Sequence, residues 1–205
     1  MTIAQTYFKE TLSTVCKEIF KPREVREHKS CVNAISFSAG EGQLLVSGGD
    51  DLRLLLWNMY DDLSNTKPIK EYYGHENNIF CAIFDSSVRH VMSCGLDGII
   101  FRYDIETGGS PLSEYQHDDS VFKIDLLCSS DEVLFSAGND CRLRLWDFRA
   151  SGVCPSQERK ENFSISSLAC HPTVDHLLLI GGLDGQLSLF DIRNGLGHKS
   201  VRDVF

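Results

Sequence analysis

The chain has 205 residues, with 20 Lys plus Arg against 29 Asp plus Glu and a formal charge of −9. That balance, with no Lys/Arg cluster, excludes a surface built for phosphate backbones, and no apolar run is long enough to span a bilayer as a helix. At 42% apolar and 24% charged residues, the composition is that of a globular protein long enough to hold a core without disulfides or metal.

Residues 1–21 read as an N-terminal extension, with 4–20 forming either one short helix or loose chain. Lys9, Glu10, Lys17 and Glu18 interrupt it, so it lacks the apolar core of a secretory signal. From residue 22 to 205 the chain reads as one repeat domain, with units at about 28–73, 75–115, 117–160 and 161–205. In the first unit, β-formers predict a strand over 32–37 and a second over 44–47. Gly49-Asp50-Asp51 predicts a tight turn, and an apolar run then closes at Trp57. The second unit turns at Leu96-Asp97-Gly98 and closes at Tyr103. The third has a strand over 121–126, a turn at Asn139-Asp140 and strict alternation from Arg142 to Trp146. The fourth turns at Leu183-Asp184-Gly185 and closes at Phe190. Each unit also holds a segment opened by proline, at Pro22, Pro68, Pro111 and Pro155. These are expected as outer strands, because proline cannot donate to a ladder. The glycine pairs 48–49 and 181–182 are expected in turns between strands. Residues 59–67 and 150–156 read as joins, and no helix is expected after residue 20.

The units keep one register. Trp57, Tyr103, Trp146 and Phe190 follow one another at intervals of 46, 43 and 44, and the four prolines keep the same intervals. Six residues before each aromatic stands an aspartate, Asp51, Asp97, Asp140 and Asp184. Four residues earlier stand Ser47, Ser93, Ser136 and then Ile180. Upstream come His28, His75 and His117, with Glu161 in that place in the fourth copy. A period of 40–45 residues with Gly-His and Trp-Asp marks is the signature of β-propeller blades. The expected fold is therefore all-β, a propeller with four recognisable blades that is partial and open, or truncated.

With Gly74-His75, Ser136–Asp140 and Trp146-Asp147, residues 22–205 resemble the WD-repeat (WD40) family. The resemblance implies that His, Ser, Asp and Trp of one blade form a hydrogen-bonded tetrad fixing the turn. His28, Ser47, Asp51 and Trp57 match it, as do His117, Ser136, Asp140 and Trp146. His75, Ser93 and Asp97 match with Tyr103 replacing Trp, and the fourth copy keeps only Asp184 and Phe190. A recurring Ser, His and Asp also mimics a hydrolase triad. A nucleophile is needed once, on a strained turn, whereas this set recurs every ~44 residues. No catalytic residue, metal ligand or cofactor is expected, and a structural role for the set follows. The family closes with seven blades, so the four here imply an incomplete ring.

Trp146-Asp147-Phe148-Arg149 and Phe190-Asp191-Ile192-Arg193 resemble the W-D-x-R box of cullin-4 RING ubiquitin ligase receptors. Residues 31–37, 45–51, 56–57, 67–69 and 78–81 are similar to the first repeats of the cullin-4-associated factor 5 type, with its relatives of types 6 and 8. The resemblance implies a non-enzymatic substrate receptor that docks on the adaptor damage-specific DNA-binding protein 1 (DDB1) through Trp146, Asp147, Arg149, Asp191 and Arg193. The alternative is a general scaffold in chromatin or signalling complexes without a ligase. Expected partners are proteins, namely the adaptor, the cullin-4 ligase and a substrate, with no nucleic acid, membrane or small-molecule ligand. The eight cysteines include no C-x-x-C pair and no ligand-spaced partner for Cys170-His171, so reduced thiols in nucleus or cytoplasm are expected.

Overall fold

The computed structural model describes residues 25–60, 67–150, 154–196 and 202–203. The extension 1–21, Pro22 and much of the two joins lie outside the described residues.

Four antiparallel four-stranded sheets follow one another along the chain. The first is β1 (Val32–Phe37), β2 (Leu44–Gly49), β3 (Leu54–Asn58) and β4 (Lys70–Tyr72). The second is β5 (Ile79–Phe84), β6 (His90–Gly95), β7 (Ile99–Asp104) and β8 (Ser113–Gln116). The third is β9 (Val121–Leu127), β10 (Ser130–Gly138), β11 (Arg142–Asp147) and β12 (Gln157–Lys160). The fourth is β13 (Ile165–Cys170), β14 (Leu177–Gly182), β15 (Leu187–Asp191) and β16 (Arg202–Asp203), with a 3-10 turn at Ile192–Asn194. In each sheet the strands pair in chain order, so every connection within a sheet is a hairpin. β4, β8 and β12 each begin two residues after a proline, which opens the edge strand without taking a ladder position. The expected strand after Pro22 is not formed in its described part, since residues 25–27 carry no strand.

The second hairpin of every sheet turns at the marker aspartate. The residue after it takes a left-handed backbone each time: Leu52 (φ 65°), Gly98 (78°), Cys141 (60°) and Gly185 (84°). The aspartate caps the turn by accepting the backbone N–H two residues on, from Ile99 (3.1 Å), Arg142 (3.1 Å) and Gln186 (3.0 Å). The glycine pairs depart from expectation. Gly48, Gly49, Gly181 and Gly182 end strands β2 and β14 rather than forming turns. Here β1 and β13 bulge. A Cβ on Gly49 would stand 2.0 Å from the Cys31 carbonyl oxygen, and one on Gly138 2.0 Å from that of Ser120. Close approach of two backbones, not turning, demands glycine at these positions.

Sheets stack face to face in sequence order, and three apolar clusters fill the spaces between neighbours. The fold is a partial WD-type propeller, and it is not closed. One register shows why. Ile79, Ala82 and Phe84 of β5 face the first sheet at 0, 3 and 9% exposure. Their counterparts in β1, Val32, Ile35 and Phe37, are 48, 71 and 61% exposed. At the other end, Leu54, Ile100 and Leu143 are fully buried against the following sheet, whereas Leu187 in the same position of the fourth is 44% exposed.

Candidate functional site

Two constellations carry the sequence marks, one inside the sheets and one at their corners. In the first sheet, His28 Nδ1 lies 2.9 Å from an Asp51 carboxylate oxygen and Nε2 lies 2.8 Å from Ser47 Oγ. Trp57 Nε1 donates to the same Oγ at 2.8 Å. In the third, His117 Nδ1 is 2.9 Å from Asp140, Nε2 is 2.7 Å from Ser136 Oγ, and Trp146 Nε1 donates to that oxygen at 2.7 Å. One proton arrangement satisfies every group. The indole donates to serine, the serine hydroxyl donates to His Nε2, and His Nδ1–H donates to the carboxylate.

The second sheet keeps two of these links. His75 is 2.7 Å from both Asp97 and Ser93. Tyr103 fills the tryptophan position, yet its hydroxyl is buried beside Ser93 without a hydrogen-bond partner. Burial drives this phenol strongly upward in pKa, as expected for a group with no room to ionise. In the fourth sheet the network is absent. Asp184 only caps its turn, and Ile180 and Phe190 are buried apolar residues. Arg159 takes over, paired with Glu161 and lying 5.0 Å above the Phe190 ring. The Arg159–Glu161 pair had no sequence signal beyond Glu161 standing at the histidine position.

Burial opposes ionisation of Asp51, Asp97 and Asp140, but hydrogen bonds from histidine and backbone outweigh it and hold all three below the usual carboxylate range. Burial is the largest influence on His117 and lowers it, despite the opposing pull of Asp140. Ser47, Ser93 and Ser136 are buried, so no substrate reaches them as nucleophiles. Sequence reading missed two further partners. Arg144 is buried and reaches Glu158 (2.9 Å), Asp118 (3.1 Å) and Asp140 (3.5 Å), tying the outer strand to the tetrad. Asp85 is buried at the opposite end of the second sheet and accepts from the backbones of Arg89 and His90 and from the His90 ring. Arg144 at four residues past Asp140 was legible; Asp85 had no repeat to reveal it.

The corner after the third strand is built alike in every sheet. The residue after the Asn or Asp donates its N–H back across the first hairpin: Met59 to Gln43, Ile105 to Arg89, Phe148 to Glu132 and Ile192 to His176, at 2.8–2.9 Å. Phe148 and Ile192 pack into the spaces between sheets, and Arg102 lies 4.5 Å over the Phe148 ring. That packing turns the next residue outward. Arg149 forks onto Asp147 at 2.8 and 2.7 Å, and Arg193 forks onto Asp191 in the same way. Their side chains are 65 and 66% exposed. The arginine hydrogen bonds hold Asp147 and Asp191 down to about 2. Trp146, expected among the docking residues, is 1% exposed and its indole N–H is engaged by Ser136, whereas Arg149 stands at the surface. The first and second corners carry Asn58-Met59-Tyr60 and Asp104-Ile105-Glu106, with no arginine.

The family described as "WD domain, G-beta repeat" matches residues 20–58, 66–104 and 109–147, more than half of the chain. The chain belongs to the WD-repeat family. The matched repeats hold the two complete tetrads and the partial network of the second sheet, and the unmatched fourth sheet is the one without such a network. The chain is 39% identical to DDB1- and CUL4-associated factor 5 of Homo sapiens over 137 residues, covering 66% of this chain and 14% of that protein. It is 30% identical to Protein ALTERED SEED GERMINATION 2 of Arabidopsis thaliana over 220 residues, 88% of this chain and 28% of that protein. It is 29% identical to DDB1- and CUL4-associated factor 6 of Mus musculus over 185 residues, 85% of this chain and 20% of that protein. The WD-repeat chain thus spans less than a third of the length of these relatives.

Proposed function

We propose that this WD-repeat chain is a non-enzymatic interaction module, the substrate receptor of a cullin-4 RING ubiquitin ligase. It docks on DDB1 through two corners, Asp147–Arg149 and Asp191–Arg193, and residues 22–205 act as one repeat domain in the nucleus or cytoplasm. The observation that carries this reading is the duplication of one exposed, preformed arginine fork at the same corner of consecutive sheets. A guanidinium already held flat by its own carboxylate loses little freedom when a partner carboxylate or carbonyl arrives. The similarity to DDB1- and CUL4-associated factors 5 and 6 supports the choice of partner.

The test is co-purification of DDB1 with the parent and with Arg149→Ala/Arg193→Ala. Loss of the adaptor at an unchanged melting temperature is expected; undiminished binding by the double variant sinks the reading. The second reading is a scaffold without a ligase. It is favoured by the self-pairing of both arginines, which satisfies them with no partner at all. Mass spectrometry of the purified complexes separates the two, since the scaffold brings down neither cullin-4 nor its adaptor.

A further inference from the structure

We infer that Cys81 and Cys94 form a peroxide-sensitive dithiol, in which Lys123 holds Cys81 as the attacking thiolate and Cys94 closes a disulfide onto it. The pair lies between the second and third sheets and is independent of the corner arginines. Cys81 and Cys94 are direct partners in the antiparallel register of β5 and β6. Residues so placed have Cα atoms about 4.5–5.5 Å apart, within the span that a disulfide bridges. The same position holds Ala34 and Gly48 in the first sheet, Lys123 and Ala137 in the third, and Ser167 and Gly181 in the fourth. The repeat asks there only for a small residue on the second strand, so two facing thiols are an addition that packing does not require.

The same register brings the cation. Lys123 is the counterpart of Cys81 on β9, the first strand of the next sheet, and the Cys81 sulfur lies 3.8 Å from the carbonyl oxygen of Ile124. The Cys94 thiol and the Lys123 ammonium lower the pKa of Cys81 against the opposing pull of burial, whereas burial and the adjacent Cys81 sulfur raise that of Cys94. The two thiols thus divide into an attacking and a resolving member. Cys81 is 3% exposed and Cys94 fully buried, which admits an oxidant little larger than water and keeps out bulky ones. The Cys81 thiolate attacks hydrogen peroxide: an S–O bond forms, the O–O bond breaks, and hydroxide leaves and takes the Cys94 proton. The Cys94 sulfur then attacks the sulfenic acid. The S–S bond forms, the S–O bond breaks, and the departing hydroxide recovers the proton that Cys81 gave up on ionising. Two thiols lose two electrons, and peroxide is reduced to two waters.

The test treats the reduced full chain with hydrogen peroxide, alkylates the remaining thiols in denaturant and digests with trypsin. Cleavage after Arg89 separates the two cysteines, so the bridge is read as the joined peptides Glu71–Arg89 and His90–Arg102, two hydrogens lighter than their sum. In Cys94→Ala the reaction is expected to stop at the Cys81 sulfenic acid, trapped by dimedone, while Cys81→Ala leaves Cys94 unmarked. Lys123→Met is expected to slow oxidation about tenfold, the change in thiolate fraction for one pKa unit. The inference is overturned if Cys81 and Cys94 are both still alkylated once the exposed Cys31, Cys128 and Cys154 have oxidised. It is equally overturned if the bridge forms as fast in the urea-unfolded chain, if dimedone marks Cys94 in Cys81→Ala, or if Lys123→Met reacts at the parental rate.

Discussion

Asp140 sits where four demands meet: it accepts from His117, caps the turn through Arg142 N–H, and faces Arg144 at 3.5 Å, with its side chain almost wholly removed from water. Asp140→Ala strands the His117 Nδ1–H and frees the turn, so a loss of about 1–3 kcal/mol in urea unfolding is expected. Tyr103 presents the opposite case. Its hydroxyl is buried without a partner, and that of Tyr72, whose ring centroid is 5.1 Å away, is in the same condition. Tyr103→Phe removes a desolvated group that makes no bond, and is expected to leave the melting temperature unchanged or raise it. A fall of more than 1 kcal/mol would mean that the phenol bonds Ser93 after all. These side chains were readable as types and spacings, because a hydrogen-bonded set recurring every 44 residues marks its own members. The Arg159–Glu161 pair over Phe190 was not readable, because an exchanged interaction leaves no repeated letter behind.

At the level of elements, the hairpin turn carries a built-in cost. Leu52 and Cys141 occupy a left-handed backbone that glycine fills in the second and fourth sheets. Leu52→Gly and Cys141→Gly are each expected to stabilise the protein by about 0.5–1 kcal/mol in thermal unfolding, since an L-residue pays a steric penalty there that glycine avoids. Gly138 works the other way, with the Ser120 carbonyl where a Cβ would go. Gly138→Ala is expected to cost about 2 kcal/mol or more, because backbone rather than a flexible side chain must move. Strand order and turn positions followed directly from alternation, proline and Asp-Gly chemistry. The glycine pairs misled because glycine signals both a reversal and a close approach, and only the bulge in β1 and β13 tells which applies.

For the molecule as a whole, acid should act in two stages. Burial lowers His117 below its ordinary 6.5, so its neutral form stabilises the fold above that value and the contribution is lost as pH falls through it. Asp51, Asp97 and Asp140 lie below their ordinary 3.8, so their contribution is intact above about pH 4 and is lost as pH falls further. Burial raises Asp125 and makes its ionisation a small opposing influence. Melting temperature against pH should accordingly step down below about 6.5 and fall again below about 4; a curve flat from 7 to 4 would remove His117 from the account. The number of sheets, their order and an incomplete ring were legible from one period and the family resemblance, whereas the faces that stay uncovered became visible only through the exposure of Val32, Ile35 and Phe37.

Against Phe190 the fourth sheet has an Arg–Glu pair carried by the end of β12, where the other three sheets have a chain of buried hydrogen bonds. Because each sheet leans only on those beside it in sequence, stability divides into nearest-neighbour shares. The molecule should thus have a soft end: amides of β13 to β15 are expected to exchange with deuterium soonest, and denaturant to unzip the structure from there toward the interior.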